Sequence, residues 1–380
     1  MRQWRTLLIS AATTLVLALA ACAPTAPAPA APAKSAAATA PAAPSSALTP
    51  VASVPSPAAA PTAAPAPQTF RQAGQSPATD AGIFVALDRG YFAEQGIDLD
   101  YVGFAAAADM VPAVATRQVH GAGFAINAPV INAVARGVEI KAVADKGSLP
   151  PGFGWEAFLI RKDLVDSGRF KDAADLKGLT LGTTPPINAG AGYPALARVL
   201  QQAGLSEDDL RLEELSFADL NAALAGKAVD VGMQLEPLVT AAVKQDIAVR
   251  WKGLDEIIPN QQIAVIGYGP AITIDNPALG RAFMVAYLKG VRDYNRAFTT
   301  GVGRPEVVAA IAKYSTVKDP AIVDAMVPVG LHPDGRVNVQ SLINDQRFYV
   351  EKGTVSTPID MHQLVDDSFV EYALQMLGPN

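Results

Sequence analysis

Between residues 69 and 268 the chain alternates short β-rich runs with helical runs, and it starts that alternation twice. Residues 69–72 precede a helical stretch at 80–95, and residues 97–104 (IDLDYVGF) alternate at period two, the mark of a strand with one buried face. A helical run at 107–116, a strand at 121–125, a helix at 129–136 and a strand at 140–144 follow. The pattern restarts with strands at 179–183, 210–215, 229–234 and 247–251, separated by helical runs at 192–203, 220–225 and 238–244. Consecutive strands joined by helices pair in parallel and carry helices on both faces of the sheet. A strand at 263–268 then reads as a return, and the remainder is helical, with residues 279–298 the clearest amphipathic segment. This α/β pattern predicts two doubly wound lobes facing each other across a cleft.

The first 68 residues follow other rules. Arg2 and Arg5 precede an apolar stretch from Leu7 to Ala20, too short for a membrane span and followed by small residues. Leu19-Ala20-Ala21-Cys22 resembles the lipobox of bacterial lipoproteins, which implies a signal peptide over residues 1–21 and a lipid on Cys22. The alternative is an ordinary signal with an incidental cysteine. Cys22 is the only cysteine in the chain and has no disulfide partner. Removing the two arginines would move the formal charge from −6 to −8. Residues 22–68 are almost entirely Ala, Pro, Ser and Thr, a composition that cannot offset the entropy of ordering, so a disordered tether is expected. The implied location is extracytoplasmic, on the cell membrane.

Three further blocks resemble one family in family order. They are Asp80-Ala81-Gly82-Ile83-Phe84-Val85-Ala86-Leu87-Asp88-Arg89-Gly90-Tyr91-Phe92 with Gly96-Ile97-Asp98-Leu99, then Leu176-Lys177-Gly178-Leu179-Thr180-Leu181-Gly182, then Ala223-Leu224-Ala225-Gly226-Lys227-Ala228-Val229-Asp230-Val231 ending at Glu236-Pro237. Together they are similar to the SsuA/ThiY/NMT1 group of type II periplasmic binding proteins. The resemblance implies a solute-binding protein of an ABC importer, monomeric, delivering a small molecule to a membrane permease. It places one lobe at residues 69–165 plus 264–380 and the other at 166–263, with hinges near 161–171 and 260–267. The blocks themselves read as scaffold. Gly90 ends a helix and Gly226 allows a tight turn.

Catalytic chemistry finds little support. His120, His332 and His362 are far apart in sequence, and no second cysteine exists for a metal set. Neither a G-x-S-x-G elbow nor a P-loop is present. We therefore expect no catalytic residue, no metal, no cofactor and no enzymatic role, although some family relatives are pyrimidine-synthesising enzymes. The mild acidity, spread along the chain, argues against a nucleic-acid partner.

Ligands of open α/β sheets bind beyond the carboxyl ends of the strands, where helix N-termini offer free N–H groups. That rule selects Gln75 and Asp80, Phe104, Asn127, Trp155, Thr183, Asn188 and Tyr193, Gln234 and Glu236, and Tyr268 as ligand-binding candidates. Ser76, Thr79, Asp109, Ile126, Phe153 and Thr184 occupy similar positions. Each has a plainer role available: Thr79, Asp80 and Asn127 as helix caps, Phe104 and Tyr268 as core, Thr183-Thr184 as a turn. The set is rich in amides, hydroxyls and aromatics. Its carboxylates, Asp80 and Glu236, would repel an anion, and Lys146 is the only cation near the set. A flat, neutral heterocycle fits better, stacked on aromatic faces and hydrogen-bonded at its edge. The resemblance extends to riboflavin-binding members, which share the lipobox and long Ala/Pro tether, and riboflavin is the expected ligand. A thiamine-precursor pyrimidine, a small sulfonate- or nitrate-like anion, a secreted pyrimidine-pathway enzyme of the same fold, and a receptor-linked sensor role are the alternatives.

Overall fold

The computed structural model describes residues 66–75, 77–104 and 107–380. The signal segment, Cys22, nearly all of the Ala/Pro stretch and Ser76 lie outside the described residues.

Ten strands form the framework: β1 (Gln68–Gly74), β2 (Ile97–Gly103), β3 (Gly121–Phe124), β4 (Lys141–Ser148), β5 (Glu156–Arg161), β6 (Thr180–Thr183), β7 (Arg211–Glu214), β8 (Val231–Leu235), β9 (Ala248–Gly253) and β10 (Gln262–Tyr268). They make two five-stranded sheets, ordered β2-β1-β3-β10-β4 and β7-β6-β8-β5-β9. The two orders are the same pattern. Within each, the first three strands are parallel to one another, and the fourth runs antiparallel to both of its neighbours. That antiparallel strand is in each case the one that has just crossed from the other lobe. β5 enters the second sheet after residues 149–155, and β10 returns to the first after residues 254–261.

Nine of the ten strands lie where the sequence pattern puts them. β5 does not appear in that pattern, and its pairing to β8 and β9 moves the lobe boundary. The first lobe's share of the chain ends at Ser148, ahead of the expected 165, and residues 161–171 lie within the second lobe instead of forming a hinge. The physical reason is burial on both faces. Residues 156–160 of β5 are all buried, so the run carries no period-two signature.

The expected helix at 80–95 is two pieces, Ala81–Asp88 and Tyr91–Glu94, separated by Gly90 at φ 75°. This left-handed turn drops Phe92 into the core, at 1 % exposure. The long helix Pro277–Thr300 matches the amphipathic run. Asn276 caps its start by accepting from the Leu279 N–H at 3.2 Å, and Gly301, at φ 80°, ends it. It packs on Ala81–Asp88 through glycine: a methyl at Gly290 would fall on the Gly82 carbonyl and stand 2.8 Å from the Ala86 nitrogen. One cluster of buried apolar side chains includes residues of both lobes together with Leu149, Trp155, Leu254 and Ile257 from the crossings.

Gly290→Ala is therefore expected to push these helices apart. Urea unfolding followed by circular dichroism should show a loss of about 1–3 kcal/mol, the usual cost of overpacking a tight core, in spite of alanine's better helix propensity.

Candidate functional site

The C-terminal ends of β1, β3 and β4 form one edge of the first sheet, and polar chemistry is buried there. After β1 the chain makes a single 3-10 turn, Ala78–Asp80, which leads into the helix Ala81–Asp88. Asp80 is fully buried, and its Oδ1 lies 2.9 Å from Lys146 Nζ at the end of β4. Lys146 Nζ also donates to Thr79 Oγ1 at 2.8 Å, and the Tyr101 hydroxyl donates to Asp80 Oδ2 at 2.7 Å. The ammonium neutralises the carboxylate in an ion pair closed off from solvent.

Glycines make this arrangement possible. A methyl on Gly74 would fall on the Tyr101 hydroxyl, and one on Gly123 would fall on Lys146 Cε. A methyl on Gly147 would stand 3.1 Å from Trp155 Cζ2. The bare backbone at the strand ends thus lets Tyr101, Lys146 and Trp155 lie across the sheet edge. Beside the pair, Asp145 accepts from Gln262 Nε2 at 2.5 Å, the His332 N–H at 2.7 Å and the Gly147 N–H at 3.1 Å. Burial nevertheless holds its carboxyl above the usual range, and the three hydrogen bonds only partly oppose that.

Several expected residues converge here. The Phe104 N–H donates to the Gly74 carbonyl at 2.8 Å, which places Phe104, half-buried, beside the β1 end. Gln75 is half-buried in the loop after β1. Trp155, 1 % exposed, sits in the first crossing and donates Nε1–H to the Ser148 carbonyl at 2.8 Å. The second lobe meets the turn through backbone: the Ala78 N–H reaches the Glu236 carbonyl at 3.3 Å, and the Glu236 N–H reaches the Trp155 carbonyl at 2.8 Å. Asn127 accepts from the Val130 N–H at 3.2 Å and so caps the helix Ala128–Ala135. The next N–H, of Ala128, donates to Ala189 of the second lobe, in the loop between β6 and the helix Tyr193–Gln202. Thr183 ends β6 and is buried, while Asn188 is exposed.

Four expected contacts have their polar atoms engaged within the chain. Gln234 donates to Phe217 O and Asn221 Oδ1, and accepts from the Leu235 N–H. Tyr268 donates to Gly280 O and packs among Phe70, Phe283 and Phe369 in the core. Tyr193 donates to Glu207 and stands edge-on to Phe348. Glu236 accepts from the N–H and Oγ1 of Thr240, both at 3.0 Å, and from the Val327 N–H at 3.2 Å. The expectation that Asp80 and Glu236 repel an anion fails on these partners. Lys146 neutralises the first, and the second is turned into a structural link. Tyr101 is the residue that sequence reasoning missed. Its only signal is position, because it follows Ile97 and Leu99 on the same face of β2.

A cavity of about 670 Å³ opens elsewhere, lined by Phe153, Asn260, Arg292, His332 and Arg336 among others, and by none of the eleven expected ligand contacts. Arg292 there is held by Asp334 and by the Gly378 carbonyl, so its charge serves the tail. Among the described residues no group of three or more His, Cys, Asp or Glu could hold a metal ion, and no helix is long and apolar enough to cross a membrane.

The family profile described as NMT1/THI5 like matches residues 78–296, more than half of the chain. The chain belongs to the NMT1/THI5-like family. Among curated proteins it is 28 % identical over 254 residues to the riboflavin-binding protein RibY of Chloroflexus aurantiacus, spanning 62 % of this chain and 67 % of that one. Among solved structures it is similar to the periplasmic aliphatic sulphonate binding protein SsuA of Escherichia coli, with a TM-score of 0.62 and 21 % identity over 79 % of this chain and 92 % of that one. The desulfurization enzyme DSZB has a TM-score of 0.58 and 16 % identity over 81 % of this chain and 99 % of that one. At such identities the solved structures establish the fold, that of periplasmic binding proteins.

The buried pair gives a stability test for the NMT1/THI5-like chain. Lys146→Met leaves Asp80 buried without a counter-charge, and urea unfolding at pH 7 should show a loss of about 3–5 kcal/mol. Stability should recover in part in the Lys146→Met, Asp80→Asn double variant.

Proposed function

We propose that this protein is an extracytoplasmic solute-binding protein, anchored through Cys22, that captures a small neutral heterocycle between its lobes and delivers it to an ABC permease. The observation that carries this reading is the charge state of the sheet edge. Asp80 and Lys146 cancel, so the floor of the site has no net charge to offer an anion. Asp80 is fully buried under its own partners, so a ligand at this edge would meet the groups around the pair. Phe104 is a half-buried aromatic at this edge, backed by the buried Trp155, and Gln75, Asn127, Thr183 and Asn188 supply amides and hydroxyls around it. Riboflavin is the ligand we favour. Its flat ring and hydroxylated chain suit that set, and the similarity to RibY, at 28 % identity, points the same way. Capture proceeds without chemistry: contacts from both lobes favour the closed arrangement, and the crossings at 149–155 and 254–261 absorb the motion.

An anion of the kind SsuA binds is the second reading. It would have to draw Lys146 away from Asp80, leaving that carboxylate buried and unpaired, and this cost disfavours it. A secreted enzyme on the same fold is the third, since the desulfurization enzyme DSZB shares this architecture.

Titration of the purified protein with riboflavin should quench flavin and tryptophan fluorescence together, with a Kd of about 1 μM or tighter, equivalent to roughly −8 kcal/mol. Phe104→Ala should weaken binding by on the order of tenfold, the usual scale of one aromatic stack. The flavin should be recovered chemically unchanged. Unaltered fluorescence at micromolar flavin would overturn the riboflavin assignment, and saturable binding of an alkanesulfonate in its place would favour the anion.

A further inference from the structure

Two buried carboxyl groups at the joint between the lobes play no part in the site above. Glu156 opens β5 in the second lobe, directly after the first crossing, and is 6 % exposed. Asp345 lies on the helix Val339–Glu351 of the C-terminal tail and is 7 % exposed. Both face the turn at residues 190–192. A methyl on Gly192 would stand 3.0 Å from Glu156 Oε1. Gln261, in the second crossing, donates through Nε2 to Asp345 Oδ2 at 3.1 Å and to the Ala191 carbonyl at 3.2 Å. Tyr349, one turn beyond Asp345, donates to the Gly190 carbonyl at 2.8 Å. First-lobe side chains thus hold a second-lobe turn, with a carboxyl group from each lobe enclosed.

No cation balances them among the described residues. Lys352 pairs with Glu207 at 3.4 Å and lies over the Tyr193 ring, and Arg250 donates to the Gly154 carbonyl. Arg198 and Arg347 are exposed. Asp255 accepts from the Gly152 N–H. The titratable group that faces both acids is the Tyr349 phenol, which burial and then the charges of Asp345 and Glu156 push well up. Gln261 Oε1, on a side chain 1 % exposed, has no donor at all. A protonated carboxyl group is a donor, and an ionised one is not. Burial alone raises Glu156 to about 7, and burial, opposed by the Gln261 hydrogen bond, raises Asp345 to about 7.

We propose that closing the lobes traps protons on Glu156 and Asp345, so that the closed form is the protonated form and falling pH drives closure. The sign follows from hydration. When the lobes separate, both groups meet water and return to the ordinary carboxylate range. The closed form therefore binds more protons than the open one, and closure, favoured in acid, is lost as pH rises through about 7. This rests on the reading of the protein as a two-lobed capture device, but not on which ligand it takes.

The test uses no ligand. In the full chain carrying Cys22→Ser, cysteines replacing exposed Asp98 and Gln201 are labelled for single-molecule energy transfer, and the interlobe distance is followed from pH 5 to pH 8.5. The open-to-closed ratio should rise by on the order of tenfold to a hundredfold per pH unit between about pH 5 and 7, as expected for one to two linked protons, and level off above. The Glu156→Gln, Asp345→Asn double variant should stay closed across the range. A pH-invariant ratio in the parent, or an undiminished response in the variant, overturns the proposal. Thermal melts supply a second readout. The variant should melt above the parent at pH 8 and level with it at pH 5, and a variant that melts lower at pH 8 also overturns it. Riboflavin binding is scored separately, so a failed ligand assignment and a failed proton linkage give different results.

Discussion

Each sheet is completed by a strand that belongs, by chain order, to the passage from the other lobe. β5 lies between β8 and β9, and β10 lies between β3 and β4, each antiparallel to its neighbours. The crossings therefore end inside hydrogen-bonded sheets and not in surface loops. This fixes where the chain passes between the sheets, at residues 149–155 and 254–261, and places Trp155, Glu156, Gln261 and Gln262 at or beside those crossings. The polar groups that organise the site and the joint are these residues and their immediate partners. A hinge built from strand ends is stiff on either side and short between, which suits rigid-body motion of two lobes.

The same constraint explains what the sequence conceals. Strands with one wet face, such as β2 with Asp98 and Asp100 turned outward, show period two and are legible. β5 is buried on both faces, and a run like Ala157-Phe158-Leu159-Ile160 offers only hydrophobicity. The family resemblance supplies lobe order, yet the lobe boundary falls in this unreadable stretch. Candidate ligand contacts fared unevenly for a related reason. Position after a strand locates Asp80, Phe104 and Asn127 near the sheet edge, but says nothing of side-chain direction. Gln234 satisfies the positional rule and turns its polar atoms into the scaffold, whereas Tyr268 ends the antiparallel β10 and so lies at the other edge, opposite Gly121 and Lys141. Lys146 was visible only as a nearby cation. Its pairing to Asp80 depends on the absence of a side chain at Gly123, two strands away in the sheet.

Two kinds of buried acid coexist in the molecule, and the difference lies in their partners. Asp80 has a cation and a phenol, and its charge is balanced where it stands. Glu156 and Asp345 have neither a cation nor a full set of donors, and burial moves their protonation towards neutral pH. The first arrangement holds one edge of the first sheet together. The second places a cost on holding the lobes together that depends on the solution.

The contiguity of the second sheet has a consequence for assembly. Its five strands lie together between Glu156 and Gly253, so that lobe is complete once those residues have emerged during synthesis or passage across a membrane. The first sheet is not. Until β10 arrives, β3 and β4 have no strand between them and present unpaired edges, although the lobe's N-terminal residues emerged first. The later lobe is thus the earlier one to finish, and the older half of the protein waits, open at its seam and exposed to mispairing, for a strand more than one hundred residues behind β4.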